Sequence, residues 1–100
     1  MFFTGEAVTG EHAERIGLVN HAVGRDDVLP RARALAEAIA GNAPLAVSMA
    51  KRAVYLAERN DIETMLEYEG LAQPITMATS DLAEGLAAQK EKRAPKFSGS

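Results

Sequence analysis

The groups that could do chemistry in this 100-residue sequence are two histidines, fourteen carboxylates and a scatter of hydroxyls, with no cysteine. Without cysteine there is no thiolate metal site, no disulfide framework and no cysteine nucleophile. His12 and His21 stand nine residues apart, on what read as different elements. Neither has the His-Glu-x-x-His spacing that sets two imidazoles on one helix face around zinc, so both read as surface or partly buried histidines and no metal is assigned. Glu11 with Glu14, and Glu63 with Glu67, fall at helical spacing. A working acid/base pair needs an apolar pocket to separate its two pKa values, and these carboxylates lie on otherwise polar faces. They read as solvated. There is no Gly-x-Ser-x-Gly elbow, and Gly5, Gly10 and Gly24 are too scattered to cradle a phosphate. No catalytic residue is assigned.

The elements that would position any site are short helices set off by capping signals. Thr9 can cap a first helix, in which Ala13 and Ile16 share a face, and Gly17 sits where a left-handed residue stops it. Leu18–Val23, with β-branched Val19 and Val23, reads as extended. Gly24-Arg25-Asp26-Asp27 supplies a turn and a cap, after which Leu29, Ala32, Leu35, Ala36 and Ile39 recur at helical spacing as far as Gly41. Pro30 suits the first turn of that helix, where a missing N–H costs little.

Pro44 opens a third helix that runs unbroken to about Glu58. Its stripe of Ala46, Ala50, Ala53 and Ala57 would let another helix approach closely. Asn60 and Asp61 cap a fourth, whose Pro74 loses the bond to the Gly70 carbonyl and predicts a kink over residues 70–74. Thr79 or Ser80 caps a last helix that Pro95 is expected to end, with a loose tail from Phe97 onward.

Apolar types make up 47% of the chain, but 19 residues are alanine, and Val, Ile, Leu and Phe together number only 22. One thin core follows, in a chain that buries somewhat over ~60% of its unfolded surface, so exposed apolar faces are expected, with partner chains or further segments to cover them. The net charge of −3 is unevenly spread: residues 1–85 hold 7 basic and 13 acidic groups, residues 86–100 hold 4 and 1. The acidic body argues against duplex nucleic acid, which binds through many Lys and Arg contacts to phosphate. The basic tail suits a small polyanion, or simply complements the dipole of its own helix. No run is long enough to span a membrane and no signal peptide is visible, so a soluble, cytoplasmic chain is expected.

Three segments, in order, resemble the C-terminal part of the crotonase superfamily, the enoyl-CoA hydratase/isomerase fold. The first is Phe3-Thr4-Gly5-Glu6-Ala7-Val8-Thr9 followed by Ala13, Ile16-Gly17-Leu18-Val19-Asn20 and Val23. The second is Asn42-Ala43-Pro44-Leu45-Ala46 with Ala50-Lys51-Arg52-Ala53-Val54. The third joins Ser80-Asp81 and Glu84-Gly85 to Glu91-Lys92-Arg93-Ala94-Pro95-Lys96-Phe97. Together they cover nearly the whole chain.

The resemblance implies a mainly α fold of short orthogonal helices, like the helical trimerisation domain of the crotonase fold. Residues 1–24 would be the end of the spiral acyl-CoA-binding domain and residues 25–100 the C-terminal helical oligomerisation domain. In longer members, the backbone N–H pair that stabilises a thioester enolate and the glutamates that move protons precede the first of these segments. The chain would then be a C-terminal fragment or truncated member of an enzyme acting on acyl-CoA thioesters, inactive alone. The alternative is a stand-alone helical oligomerisation module without catalysis.

One binding site carries over. Lys92 matches a family lysine that contacts the CoA moiety bound in a neighbouring subunit, where an ammonium can pair with phosphate as a point charge. Gln89 stands where the family has Phe, so the apolar contact is lost or replaced by a hydrogen bond. Phe97 reads as a packing anchor. The implied partners are an acyl-CoA substrate, of which CoA is part, so that no separate cofactor is needed, and further copies of the chain in a trimer or hexamer.

Overall fold

The computed structural model describes all 100 residues, Met1–Ser100. It contains five α-helices: α1 (Gly10–Arg15), α2 (Val28–Ala40), α3 (Pro44–Ala57), α4 (Ile62–Met77) and α5 (Ser80–Glu91), with a 3₁₀ turn at Arg25–Asp27 ahead of α2. The mainly α expectation holds. The chain divides into two compact units, Met1–Leu35 and Ala36–Ser100.

In the first unit, the Thr9 hydroxyl accepts the His12 N–H at 3.2 Å, which satisfies one of the donors left over at a helix start. The helix closes on Gly17, whose φ of 73° is the left-handed conformation expected of it. The N–H of Gly17 goes to the Glu14 carbonyl at 3.0 Å and that of Leu18 to the Ala13 carbonyl at 2.8 Å. This pair of reverse bonds corrects the expectation of an extended Leu18–Val23. Leu18, Val19 and Asn20 bend instead, because the N–H groups of Leu18 and Val19 fold back onto one carbonyl of α1.

In the second unit, Pro44 takes the first position of α3, as its missing N–H and fixed φ favour. Asp61 caps α4 by accepting the Thr64 N–H at 2.9 Å, and Thr79 caps α5 through the Leu82 N–H at 3.3 Å. Pro74 lies inside α4, which runs as one helix from Ile62 to Met77. The alanine stripe of α3 does face α4: Ala46, Met49, Ala50 and Ala53 line one wall of an open groove of about 310 Å3 opposite Tyr68, Ala72 and Thr76. The Tyr68 hydroxyl bridges the two helices by donating to the Met49 carbonyl at 3.2 Å.

The core is as thin as the composition implies. Ala13 and Ala88 are the only buried apolar residues, and no large side chain is fully buried. Ile62, Leu66, Leu71, Ile75 and Met77 on α4, with Leu82 and Leu86 on α5, stand exposed. Apolar faces of this extent are the usual signature of surface that other polypeptide covers.

Candidate functional site

The candidate site lies where α5 ends. Lys92 adopts φ 55° and ψ 39°, the only non-glycine residue of the chain with positive φ. The Lys92 N–H reaches the Gln89 carbonyl at 3.3 Å and the Arg93 N–H reaches the Ala88 carbonyl at 3.0 Å, so the helix stops in a left-handed turn. Glycine normally fills that position, and an L-residue there costs roughly 1–2 kcal/mol. This corrects the expectation that Pro95 ends the helix: reverse hydrogen bonds end it earlier. The turn leaves Lys92 exposed and without a carboxylate partner. Gln89 is exposed in the last turn of the same helix, and its carbonyl accepts the Lys92 N–H.

The next residue is held firmly. Arg93 presents its guanidinium fork to Glu84, with Nη1 on Oε1 and Nη2 on Oε2 at 2.9 Å, and its Nε donates to Glu91 at 2.6 Å. Glu84 also accepts the Lys96 N–H at 2.8 Å. The Arg93 fork, followed by that N–H, pulls the Glu84 carboxyl down to about pKa 2, and Glu84, then Glu91, raises Arg93.

The tail beyond is fastened rather than loose. Asp81, 3% exposed, accepts the Ser98 N–H at 2.7 Å and the Gly99 N–H at 2.9 Å, with the Ser98 hydroxyl at 3.3 Å. The Ser80 N–H donates to the Ser100 carbonyl at 2.7 Å. Phe97 is half-buried and packs over Gly85, where a Cβ would sit 3.6 Å from its ring, so it anchors the tail as expected. The strap and the ends of α3, α4 and α5 enclose an apolar groove of about 300 Å3, with Leu45, Met77, Leu82 and Leu86 in its lining.

The residues read first for chemistry are dispersed. His12 is half-buried and its Nδ1 lies 2.9 Å from Arg15 Nη2; Glu11, held down by its own N–H and then by the Thr9 hydroxyl, sits at the start of α1. Glu63 and Glu67 are exposed, as read. Glu14 is exposed but engaged: it accepts the Ala22 N–H at 3.2 Å and lies 3.4 Å from His21 Nδ1, while His21 Nε2 is 3.1 Å from Arg31. That contact joins α1 to the irregular chain beyond its end, where no periodicity could signal it. Asp81, Glu84 and Arg93 were missed as a unit, although all three lie in the third segment of the resemblance. No group of three or more His, Asp or Glu side chains converges on a metal-sized site. No helix is long and apolar enough to cross a membrane.

A chain of helices with these caps, ending in this turn and strap, matches known proteins over nearly all of its own length. The family described as enoyl-CoA hydratase/isomerase matches residues 1–100, and the chain belongs to it. It is 42% identical to the human mitochondrial enoyl-CoA hydratase domain-containing protein 2 over 99% of its own length and 35% of that protein's. The crystal structure of an enoyl-CoA hydratase from Bacillus anthracis superposes with a TM-score of 0.93 at 37% identity, over 98% of this chain and 38% of that one. An enoyl-CoA hydratase from Mycobacterium tuberculosis H37Rv gives 0.90 at 33%, over 98% and 39%. The chain therefore spans little more than a third of these relatives and corresponds to their C-terminal part.

Proposed function

We propose that this chain is the C-terminal segment of an enoyl-CoA hydratase/isomerase-type enzyme acting on acyl-CoA thioesters, and that it contributes a CoA contact and an assembly surface but no catalytic group. What carries the reading is a near whole-length match to little more than a third of the relatives named above, in a fold whose one strained, exposed and unpaired cation is Lys92. Residues 1–24 would close the acyl-CoA-binding domain and residues 25–100 form the helical domain, a division by role that need not follow the compaction boundary after Leu35. The exposed apolar residues of α4 and α5 would be covered in a trimer or hexamer.

At the site, the Lys92 ammonium would pair with a CoA phosphate and the Gln89 amide would add a hydrogen bond beside it. A rim contact of this kind holds substrate equally in ground and transition states, so it acts on KM and leaves kcat alone. In the complete enzyme, Lys92→Ala should weaken acyl-CoA binding by ~0.5–1.5 kcal/mol. An unchanged KM removes Lys92 from the site. Exposure of so much apolar surface also favours a second reading, a self-assembling module without catalysis. Trimers of the 100-residue chain that turn over no enoyl-CoA and bind no CoA would support it.

A further inference from the structure

The cost of the left-handed turn at Lys92 must be met by neighbouring contacts, because a lysine adopts it only where the surroundings over-determine it. Backbone bonds fix the turn from the helix side, through the Gln89 and Ala88 carbonyls. On the far side the fixing group is Glu84, two turns back on α5. It grips the Arg93 fork with both oxygens, and Oε1 takes the Lys96 N–H as well. A planar fork on a carboxylate fixes both distance and orientation, which an ammonium could not do. Residue 92 is thus clamped between a helix end and a side-chain clasp. The clasp also occupies Arg93 with Glu84 and Glu91, which leaves Lys92 beside it as an unpaired charge.

We propose that Glu84, acting through Arg93, is a positioning residue that holds Lys92 in the left-handed turn from which its ammonium meets a CoA phosphate. This rests on the reading of Lys92 as a phosphate contact. Glu84 itself touches no ligand. Its effect is confined to substrates that carry the nucleotide phosphates, because the turn it holds presents nothing to the acyl end.

The test uses the complete enzyme that carries this segment and compares an enoyl-CoA with the matching enoyl-pantetheine, which lacks those phosphates. Glu84→Gln keeps the shape and loses the charge that grips the fork, while Arg93→Lys keeps the charge and loses the fork. Each should raise KM for the CoA substrate by about 3- to 10-fold, close to the effect of Lys92→Ala, with kcat unaltered and the pantetheine substrate unaffected. Combining E84Q with K92A should add nothing to K92A alone. A KM effect of K92A that neither E84Q nor R93K reproduces overturns the positioning role, as does an equal loss on both substrates, which marks the clasp as structural only. If K92A itself leaves KM unchanged, the phosphate contact fails and the positioning role falls with it.

Discussion

Replacing Asp81 by Asn tests whether one buried carboxylate fastens the C-terminal strap. The change is isosteric, so packing around the 3%-exposed side chain is kept. The carboxylate now accepts Ser98 N–H on Oδ1 and Gly99 N–H on Oδ2. Asn keeps one acceptor and turns an NH2 toward the other N–H, so one bond becomes neutral and the other becomes a donor facing a donor. Bonds to a charged group contribute about 1.5–3 kcal/mol each, roughly twice a neutral one. Losing one and halving the other makes release of the strap easier by about 2–4.5 kcal/mol, or roughly 30- to 2000-fold. The change also removes a negative charge from the first turn of α5, worth about 0.3–1 kcal/mol, so global melting would mix two effects. Amide exchange isolates the strap. Ser98 and Gly99 should lose protection by that factor, while Met65, bonded to the Asp61 carbonyl in α4, should keep its own. Protection at Gly99 retained within about threefold would refute the argument that Asp81 is the latch.

Two further outcomes follow from the same end of the molecule. Glu84 has its pKa lowered from 4.5 to about 2 in the folded chain, so its clasp on Arg93 contributes fully above pH 4.5 and is lost as pH falls from there toward 2. The Arg93 and Lys96 amide shifts of the folded chain should therefore stay constant from pH 7 to about 3.5 and move with a midpoint near 2, and a transition centred near the ordinary value of 4.5 would contradict the clasp. Lys92→Gly relieves a left-handed L-residue, a gain of roughly 1–2 kcal/mol reduced by the roughly 0.4–1 kcal/mol of extra freedom glycine has when unfolded. Thermal melting should show a net stabilisation of about 0.5–1 kcal/mol even as CoA affinity falls, and a destabilised variant would show that the turn carries no strain.

The local features were legible because each depends on a few adjacent residues. Thr9, Asp61 and Thr79 cap helices as read, since a short side chain reaches an N–H three residues on whatever the rest of the chain does. Pro44 at the start of α3 and Gly17 at the end of α1 are equally local consequences of a fixed or a permissive φ. The thin core was legible in the excess of alanine over larger apolar types. The resemblance, carried by three ordered segments, located the family and drew attention to Lys92 and Gln89.

By itself, then, the sequence determined helical content, most helix starts, the scarcity of core and the family. The tertiary structure alone decided how the chain ends. Asp81 meets residues 98 and 99, Glu84 meets Arg93 and Lys96, and Glu14 meets His21 and Ala22, and each of these contacts joins a helix to irregular chain beyond its end, where no helical or strand period applies. A tail read as loose is fastened because a buried carboxylate finds two free N–H groups there. Lys92 takes a glycine's conformation because its neighbours hold it there, and such over-determination arises only when distant parts of the chain have come together.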